Sequence, residues 1–441
     1  MGSIRSPFRG WSMPGWQFVR CDAGHIPGRT SSDSKRSVLK TTWLLALILI
    51  LPAALRAAEP RLIPLDEALH LGDASPSAAT LGLEVDRARA EVRASGLWPN
   101  PEVAVSREEA LGTVDRFETL SLPLPLTGRL SLEKSAARSG LKATEARTRL
   151  ARVNLVRANV REAFLDLLVA QERTSSLSAG LSRLAELVQV LRSREKEGES
   201  SGFDLMRAER EQAEFQADFL ESQGQVVRPR GELAALVGLP SEGLAADGSL
   251  EAAPSLPSLE EARVLVASRG DVLALGAEAE RADYLARAAR RRAIPEPSLT
   301  LGAKTTEVAS DADAGSVAAI SISIPIFDRG QGARAIARAE GALLRSQREA
   351  LSRKALAEAE AALAQAAARR EGAESYAAAA DPDELIRIAR AAYDAGEMRI
   401  LELLDAYRTA INVSLRTIEL RGEARRAEIE LNRVLGTEVV R

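Results

Sequence analysis

The chain has 441 residues, Lys+Arg 59 against Asp+Glu 62, a net charge of -3 and only 4% aromatic residues. Neither sign of charge dominates, which argues against the basic face that nucleic-acid binding needs. Cys21 is the only cysteine and His25 and His70 the only histidines. That excludes a disulfide framework and a thiolate zinc site, and speaks against a His-based triad.

Residues 1–58 read as a leader. Lys35, Arg36 and Lys40 precede the apolar run Thr42 to Leu51, and Ala53, Ala54, Ala57 and Ala58 follow it. A basic start, about ten apolar residues and a small-residue exit make a secretory signal, in residues 35–58. The alternative is a membrane anchor, which needs about 20 apolar residues. Cleavage is expected near Ala57 or Ala58, and translation is expected to begin after residue 34, near Val38. Residues 1–58 hold eight basic and two acidic side chains, so the remainder carries about -9 and no thiol nucleophile. No cysteine follows the apolar run to take a lipid.

Past the leader, Pro64 to Leu69 opens a short helix, with Pro64 where a helix start tolerates it. A longer helix is expected from Ala78 to Leu97, ended by Pro99 and Pro101. Two strands follow, 102–107 and 117–124, joined by a polar loop around Gly112. Leu120, Leu122 and Leu124 share one face of the second strand, Thr119 and Ser121 the other; Pro123 marks a bend or an end. From Val153 to Leu191 apolar residues recur in steps of three and four, with Thr174 the one polar member. This is a coiled-coil seam. A helix from Arg129 to Lys196 is roughly 100 Å long. The chain turns at 197–202 and returns as a helix from Phe203 to Leu236, about 50 Å long. The 78–97 helix is therefore expected to continue the shorter return alongside the long rod. A Gly-, Pro- and Ser-rich linker spans 238–257.

The second half repeats the plan. Ser258 to Ala262 echoes the first opening, and a helix from Arg281 to Arg292 ends at Pro295 and Pro297. Strands are expected at 298–304 and 316–325, with Ile320, Ile322 and Ile324 on one face and a solvated loop between them. A long Ala-rich helix runs from Gly330 to Ala380, breaks at Pro382, resumes to Ala395 and turns at Gly396. The last helix ends at Gly436. Gly198, Asp204, Leu205, Ala208 and Gly238 answer Gly396, Glu402, Leu403, Ala406 and Gly436 at a spacing near 198. The domains are read as the leader 1–58, a first repeat 59–250 and a second repeat 251–441. Four amphipathic strands are too few to close a barrel. One apolar and one small polar face suit a membrane barrel wall shared among copies, and three copies supply twelve strands. A small sandwich packed on the helices is the soluble alternative.

The signal, the twofold helix–strand–strand–helix repeat, the proline pairs and the Gly-turn-helix segments 198–208 and 396–406 resemble the TolC-like outer-membrane efflux proteins. The resemblance covers nearly all of residues 60–437. It implies a mainly α fold with four β-strands, in which long coiled-coil-like helices form a trimeric α-barrel continuous with a 12-stranded transmembrane β-barrel. It places the chain in the outer membrane of a Gram-negative bacterium, with a periplasmic helical tunnel. It implies a passive exit duct for a tripartite efflux or type I secretion system. The implied partners are two further copies as a homotrimer, outer-membrane lipid, a periplasmic adaptor (membrane fusion) protein and an inner-membrane pump. It implies no cofactor, no resident metal and no nucleic acid.

The same resemblance assigns residues. Glu402 and Asp405 match a carboxylate pair at the narrow periplasmic entrance, six around the axis of a trimer. Clustered carboxylates concentrate cations and raise one another's pKa values; the local sequence alone favours a solvated helix face, and the repeat context reverses that reading. Tyr393 and Asp204 match a latch, whose family arginine falls here at Met398 with Arg399 one further on, a departure from the pattern. Tyr393 also fits ordinary helix packing. The turns holding Gly198, Gly202, Gly396 and Glu397 match adaptor-docking turns. Trp98 fits either a membrane-interface anchor or a packed structural residue. Pro125 to Arg129 is similar to the metal-cation efflux branch, which favours divalent metals over drugs as cargo. The rival reading is a periplasmic coiled-coil adaptor or scaffold, which normally carries a strand-rich lipoyl-like module not seen here. An enzyme finds no paired acid–base signature, phosphate loop or metal-ligand cluster.

Overall fold

A computed structural model describes residues 61–198, 201–252, 255–308, 311–379 and 381–439; the leader of residues 1–58 lies outside them. The described chain opens with strand β1 (Arg61–Pro64) and helix α1 (Leu65–Asp73). β1 pairs in parallel with β4 (Leu244–Asp247), inside what composition marks as a linker. Gln171 closes that pair from the side: its Oε1 accepts from Ala246 N at 2.8 Å, and its Nε2 donates to Ala246 O at 3.2 Å. An edge backbone that burial would leave unpaired is thereby satisfied. Helix α2 (Pro76–Ala94) starts at Ser75, whose Oγ accepts from Ala78 N at 3.3 Å, with Pro76 at its first position.

Strands β2 (Glu102–Ala110), β3 (Thr113–Pro123), β5 (Pro297–Val308) and β6 (Asp311–Ile322) form one antiparallel sheet in the order β2-β3-β5-β6. All four run further toward the hairpin turns than expected, so the expected polar loops at 108–116 and 305–315 are mostly strand. β3 and β6 stop at Pro123 and Ile322, short of the expected 124 and 325, and leave Ile324 outside the sheet. β2 and β3 join through Leu111 and Gly112 at φ 53° and 81°, the both-positive pattern of a tight hairpin turn. The polar residues belong to strand ends beyond the apolar rows, where Arg107 faces Arg116 and Glu109 faces Val114.

The register places Val103, Leu120, Leu301 and Ala318 in one row and Leu122, Leu299 and Ile320 in the next. Ser121, Thr300 and Ala319 lie on the opposite face, where Thr300 Oγ1 donates to Ser121 Oγ at 3.2 Å. The apolar face is uncovered, with Val103 at 76% and Ile320 at 71% exposure. β2 and β6 are edges without a partner among the described residues.

The expected single helix 129–196 is three pieces: α3 (Arg129–Ala151), a π-helical segment (Arg152–Arg157) and α4 (Ala158–Lys196). The wider i→i+5 turn shifts the phase of the seam. Val153 is only half-buried, while Val156, Val160, Leu167, Leu184 and Leu191 are buried. α4 also buries Phe164, Leu165, Leu168 and Leu187, because α5 (Gly202–Val237) and α10 (Ile400–Leu435) both pack on it. Gly180 permits the approach of α10: a Cβ there would lie 2.7 Å from Ile411 Cδ1. α2 packs along α3 and α5 along α4, so two short helices serve successive parts of the long rod.

In the second half, α6 (Leu259–Ala267) starts with a capping box between Ser258 and Glu261. α7 (Gly270–Arg291) packs between α3 and α8 (Gln331–Ala379). The expected break follows: Asp381 Oδ1 accepts from Asp383 N at 2.9 Å and caps α9 (Pro382–Asp394), with Pro382 in its first turn. α10 packs against α8 and α9 and ends at Gly436, φ 70°.

Candidate functional site: the paired hairpin tips

The α4–α5 and α9–α10 hairpins are held together by a shared core that includes Leu184, Leu191, Leu403 and Tyr407. Each turns on a glycine in the left-handed region, Gly198 at φ 77° and Gly396 at φ 76°. Gly396 N donates to Tyr393 O at 3.0 Å and Glu397 N to Ala392 O at 2.9 Å, closing the last turn of α9. Gly202 is the first residue of α5, behind Ser201, whose Oγ accepts from Phe203 N at 3.2 Å. Glu397 and both turn glycines are exposed.

Glu402 and Asp405 lie one turn apart on the exposed side of α10. Glu402 Oε2 accepts from Arg399 N at 3.0 Å, so this carboxylate also caps the helix start, where negative charge is favoured. Asp405 makes no hydrogen bond or ion pair among the described residues. One turn further, Arg408 grips Glu211 of α5 through two bonds, Nε to Oε1 at 2.8 Å and Nη2 to Oε2 at 2.5 Å. Glu211 is only 9% exposed. Its hydrogen bonds, then its charge, hold the Arg408 guanidinium above its ordinary value. Sequence reasoning missed this pair. The available signal was a charge at position 211, in the seam between Ala208 and Phe215.

Tyr393 packs under the guanidinium of Arg194, 5.5 Å from the ring centroid, and Arg194 Nη2 donates to Asp394 Oδ1 at 3.1 Å. Burial pulls Arg194 down most strongly of any one effect. The bonds to Asp394 and Tyr393 and their charges together outweigh it and raise the group. Asp204 stands apart in the first turn of α5, its backbone N donating to Ser201 O at 3.0 Å. Arg399 engages Glu402 through its backbone. Tyr393, Asp204 and Arg399 are thus not joined within one chain, and Arg194 takes the place beside the tyrosine. Arg183 to Asp383 at 2.6 Å and Arg192 to Glu209 at 2.6 Å extend the pattern: α4 clamps both α9 and α5. Trp98, at the junction of α2 and β2, is 59% exposed.

Among the described residues no group of three His, Cys, Asp or Glu side chains is placed to hold a metal ion. No helix among them is long and apolar enough to cross a membrane. The chain belongs to the outer membrane efflux protein family, which it matches over residues 73–239 and 263–437.

The chain is similar to the cobalt-zinc-cadmium resistance protein CzcC of Cupriavidus metallidurans, with 28% identity over 362 residues that cover 80% of this chain and 85% of that protein. Its fold is shared by the outer membrane protein VceC of Vibrio cholerae, at 18% identity and a TM-score of 0.65, covering 85% of this chain and 96% of that one. The open MtrE outer membrane channel of Neisseria gonorrhoeae shares it too, at 20% identity and 0.65, covering 86% and 90%. As a member of this family the chain is an outer-membrane exit duct with a periplasmic helical tunnel. It serves a tripartite efflux system with a periplasmic adaptor and an inner-membrane pump, and is not an enzyme.

Proposed function

We propose that three copies of this chain close one 12-stranded barrel and one helical tunnel, and that the cargo is divalent metal cations. The observation that carries the assembly is the uncovered apolar sheet face together with the two open edges, β2 and β6. Unpaired strand edges cannot stand in lipid, and pairing β6 of one copy with β2 of the next removes both. The metal cargo is supported by the likeness to a cobalt-zinc-cadmium resistance protein and by the exposed carboxylates of Glu402 and Asp405. In three copies these put six negative groups around the entrance, where they concentrate cations.

The repeats 59–250 and 251–441 each supply two strands and one hairpin tip, and the leader 1–58 directs export. Gly198, Gly202, Gly396 and Glu397 present the turns to the adaptor. Tyr393, Asp204 and Arg399 form the entrance latch between chains, with Arg194 holding the tyrosine in place. The test is the Glu402→Ala/Asp405→Ala double variant recorded as single channels in planar bilayers. Its conductance should rise or its cation selectivity fall, and recordings identical to the parent would remove the entrance assignment.

A further inference from the structure

Outside the leader the chain is acidic, at about -9, yet four exposed basic side chains stand together where the helices meet the sheet. They are Lys134 and Arg138 of α3 and Arg287 and Arg291 of α7. Each pair is four residues apart and so shares a helix face. α3 and α7 pack on each other, and Lys142 Nζ to Glu280 Oε2 at 3.9 Å joins the two faces further from the sheet.

Neighbouring residues fix the side of the wall that they occupy. Arg129 and Arg292 line a cleft with Glu296 and Ser323. Glu296 continues the alternation of Thr300 and Ser298, and Ser323 that of Ala319 and Ser321, so the cleft lies on the polar face of the sheet. Lys134 and Arg138 follow Arg129 by five and nine residues, about 140° and 180° around α3. Arg287 precedes Arg292 by five, again about 140°, and Arg291 shares its face. The four therefore stand on the opposite side, below the apolar rows of Leu122, Leu299, Ile320 and Ile322.

Charge on this side has one sign. Among the described residues of the two helices, no carboxylate joins the face before Glu280 on α7 and Glu145 on α3. Glu133 turns to Arg129 at 2.8 Å and Asp283 to Arg345 at 3.2 Å. At the far end of the sheet acid predominates, with Glu108, Glu109, Asp311 and Asp313 exposed. Arg287 also stacks over the Tyr284 ring, 4.6 Å from its centroid, an amphipathic pair suited to headgroup depth. Arg291 ends α7, Arg287 is about 6 Å further from the sheet, and Lys134 is about 8 Å into α3. The headgroup layer adds about 5–8 Å beyond the hydrocarbon, which puts these groups at the level of lipid phosphates.

We propose that Lys134, Arg138, Arg287 and Arg291 form a basic collar that binds the phosphodiester headgroups of anionic phospholipids in the periplasmic leaflet, a role that rests on the lipid placement of the sheet proposed above. An apolar face that ends in a row of cations matches an anionic lipid at both of its parts.

Trp98 is the reporter for the test. Gly96, two residues before it, lies against Lys134, whose Cβ would be 3.1 Å from a Cβ on the glycine. With Trp11→Phe, Trp16→Phe and Trp43→Phe in the leader, Trp98 is the only tryptophan. The full chain is reconstituted into mixed vesicles of phosphatidylcholine and phosphatidylglycerol, with brominated acyl chains on one lipid or the other. Quenching of Trp98 then gives the relative affinity of the two lipids beside it. Phosphatidylglycerol should be favoured several-fold at low ionic strength, and less so as salt is added. The Lys134→Gln/Arg138→Gln/Arg287→Gln/Arg291→Gln variant should bring the two lipids close to equality, with quenching by brominated phosphatidylcholine retained. The Lys134→Gln/Arg138→Gln variant should lose part of the preference, which covers the case of a fourfold variant that fails to fold. Equal quenching by the two lipids in the parent, or a preference that survives these substitutions, would overturn the collar while leaving the sheet in lipid. Absence of quenching by either lipid would overturn the lipid placement itself, and the collar with it.

Discussion

The rods nearest the sheet and the rods nearest the turns are packed with different side chains. Next to the sheet, α3 buries Ala136, Ser139, Ala143 and Ala146, and α7 answers with Ala274, Ala279, Ala282, Ala286 and Ala289. Past the π segment, α4 buries Leu167, Leu177, Leu184 and Leu191 against α5 and α10. Small side chains let helix axes approach to the short end of the usual range of about 8–10 Å, but each buries little apolar area. Leucines contribute about 1.5–3 kcal/mol apiece on burial. The sheet-proximal part is thus fixed by close fit and by polar bridges such as Ser139 Oγ to Glu280 Oε2 at 3.0 Å. The tips are fixed by hydrophobic burial and by arginines radiating from α4 and α10.

That contrast predicts opposite responses to changes of volume. Leu184→Ala, at a fully buried tip position, should cost about 2–5 kcal/mol through lost burial and a cavity. Ala143→Leu, equally buried against α7, should cost about 1–3 kcal/mol by overpacking. Thermal unfolding of the detergent-purified protein ranks them, and a tolerated Leu184→Ala would break the distinction.

A smaller effect separates the ion pairs of the two parts. Arg408→Ala leaves the shielded carboxylate of Glu211 without its bidentate partner, for an expected loss of about 1–3 kcal/mol. Arg147→Ala removes a single bond to Glu278, which keeps Arg281 as a second partner, and should cost less than about 1 kcal/mol. Equal losses in chemical denaturation would show that the tip pair is nothing special.

Much of this contrast is visible in the residues themselves. The leucine seam of α4, the Asp381–Pro382 break, and the glycine turns at 198 and 396 all rest on local signals: spacing, φ restriction and backbone freedom. The sheet faces follow from simple alternation at Leu120, Leu122, Ile320 and Ile322. What stayed hidden depends on partners far away in the chain. β4 reads as linker because Leu244 to Asp247 becomes a strand only beside β1. The π segment has no marker, since Arg152 to Arg157 continues a spacing of three and four without a break. At the tips, Glu402 and Asp405 are on one exposed face as their spacing demands. The partner of Tyr393 is Arg194, from a helix some two hundred residues earlier, and no local pattern points to it.

The smallest predicted effect is on acid stability at α9. The Glu384 carboxyl is held below its ordinary value by its hydrogen bond to Arg387, with burial opposing. A lowered folded-state pKa stabilises above the ordinary carboxylate range, and the contribution disappears as pH falls through the lowered value. Glu384→Gln should therefore be slightly less stable than the parent at neutral pH. The gap should close on acidification. A gap that widens in acid would reverse the assignment.

The central claim is that the sheet is incomplete alone and is closed by other copies in a membrane. Native mass spectrometry of the full chain, released from outer-membrane fractions in mild detergent, tests it directly. Three copies per particle, insoluble once the detergent is withdrawn, is the expected result. A single copy that remains folded and soluble in plain buffer would contradict it.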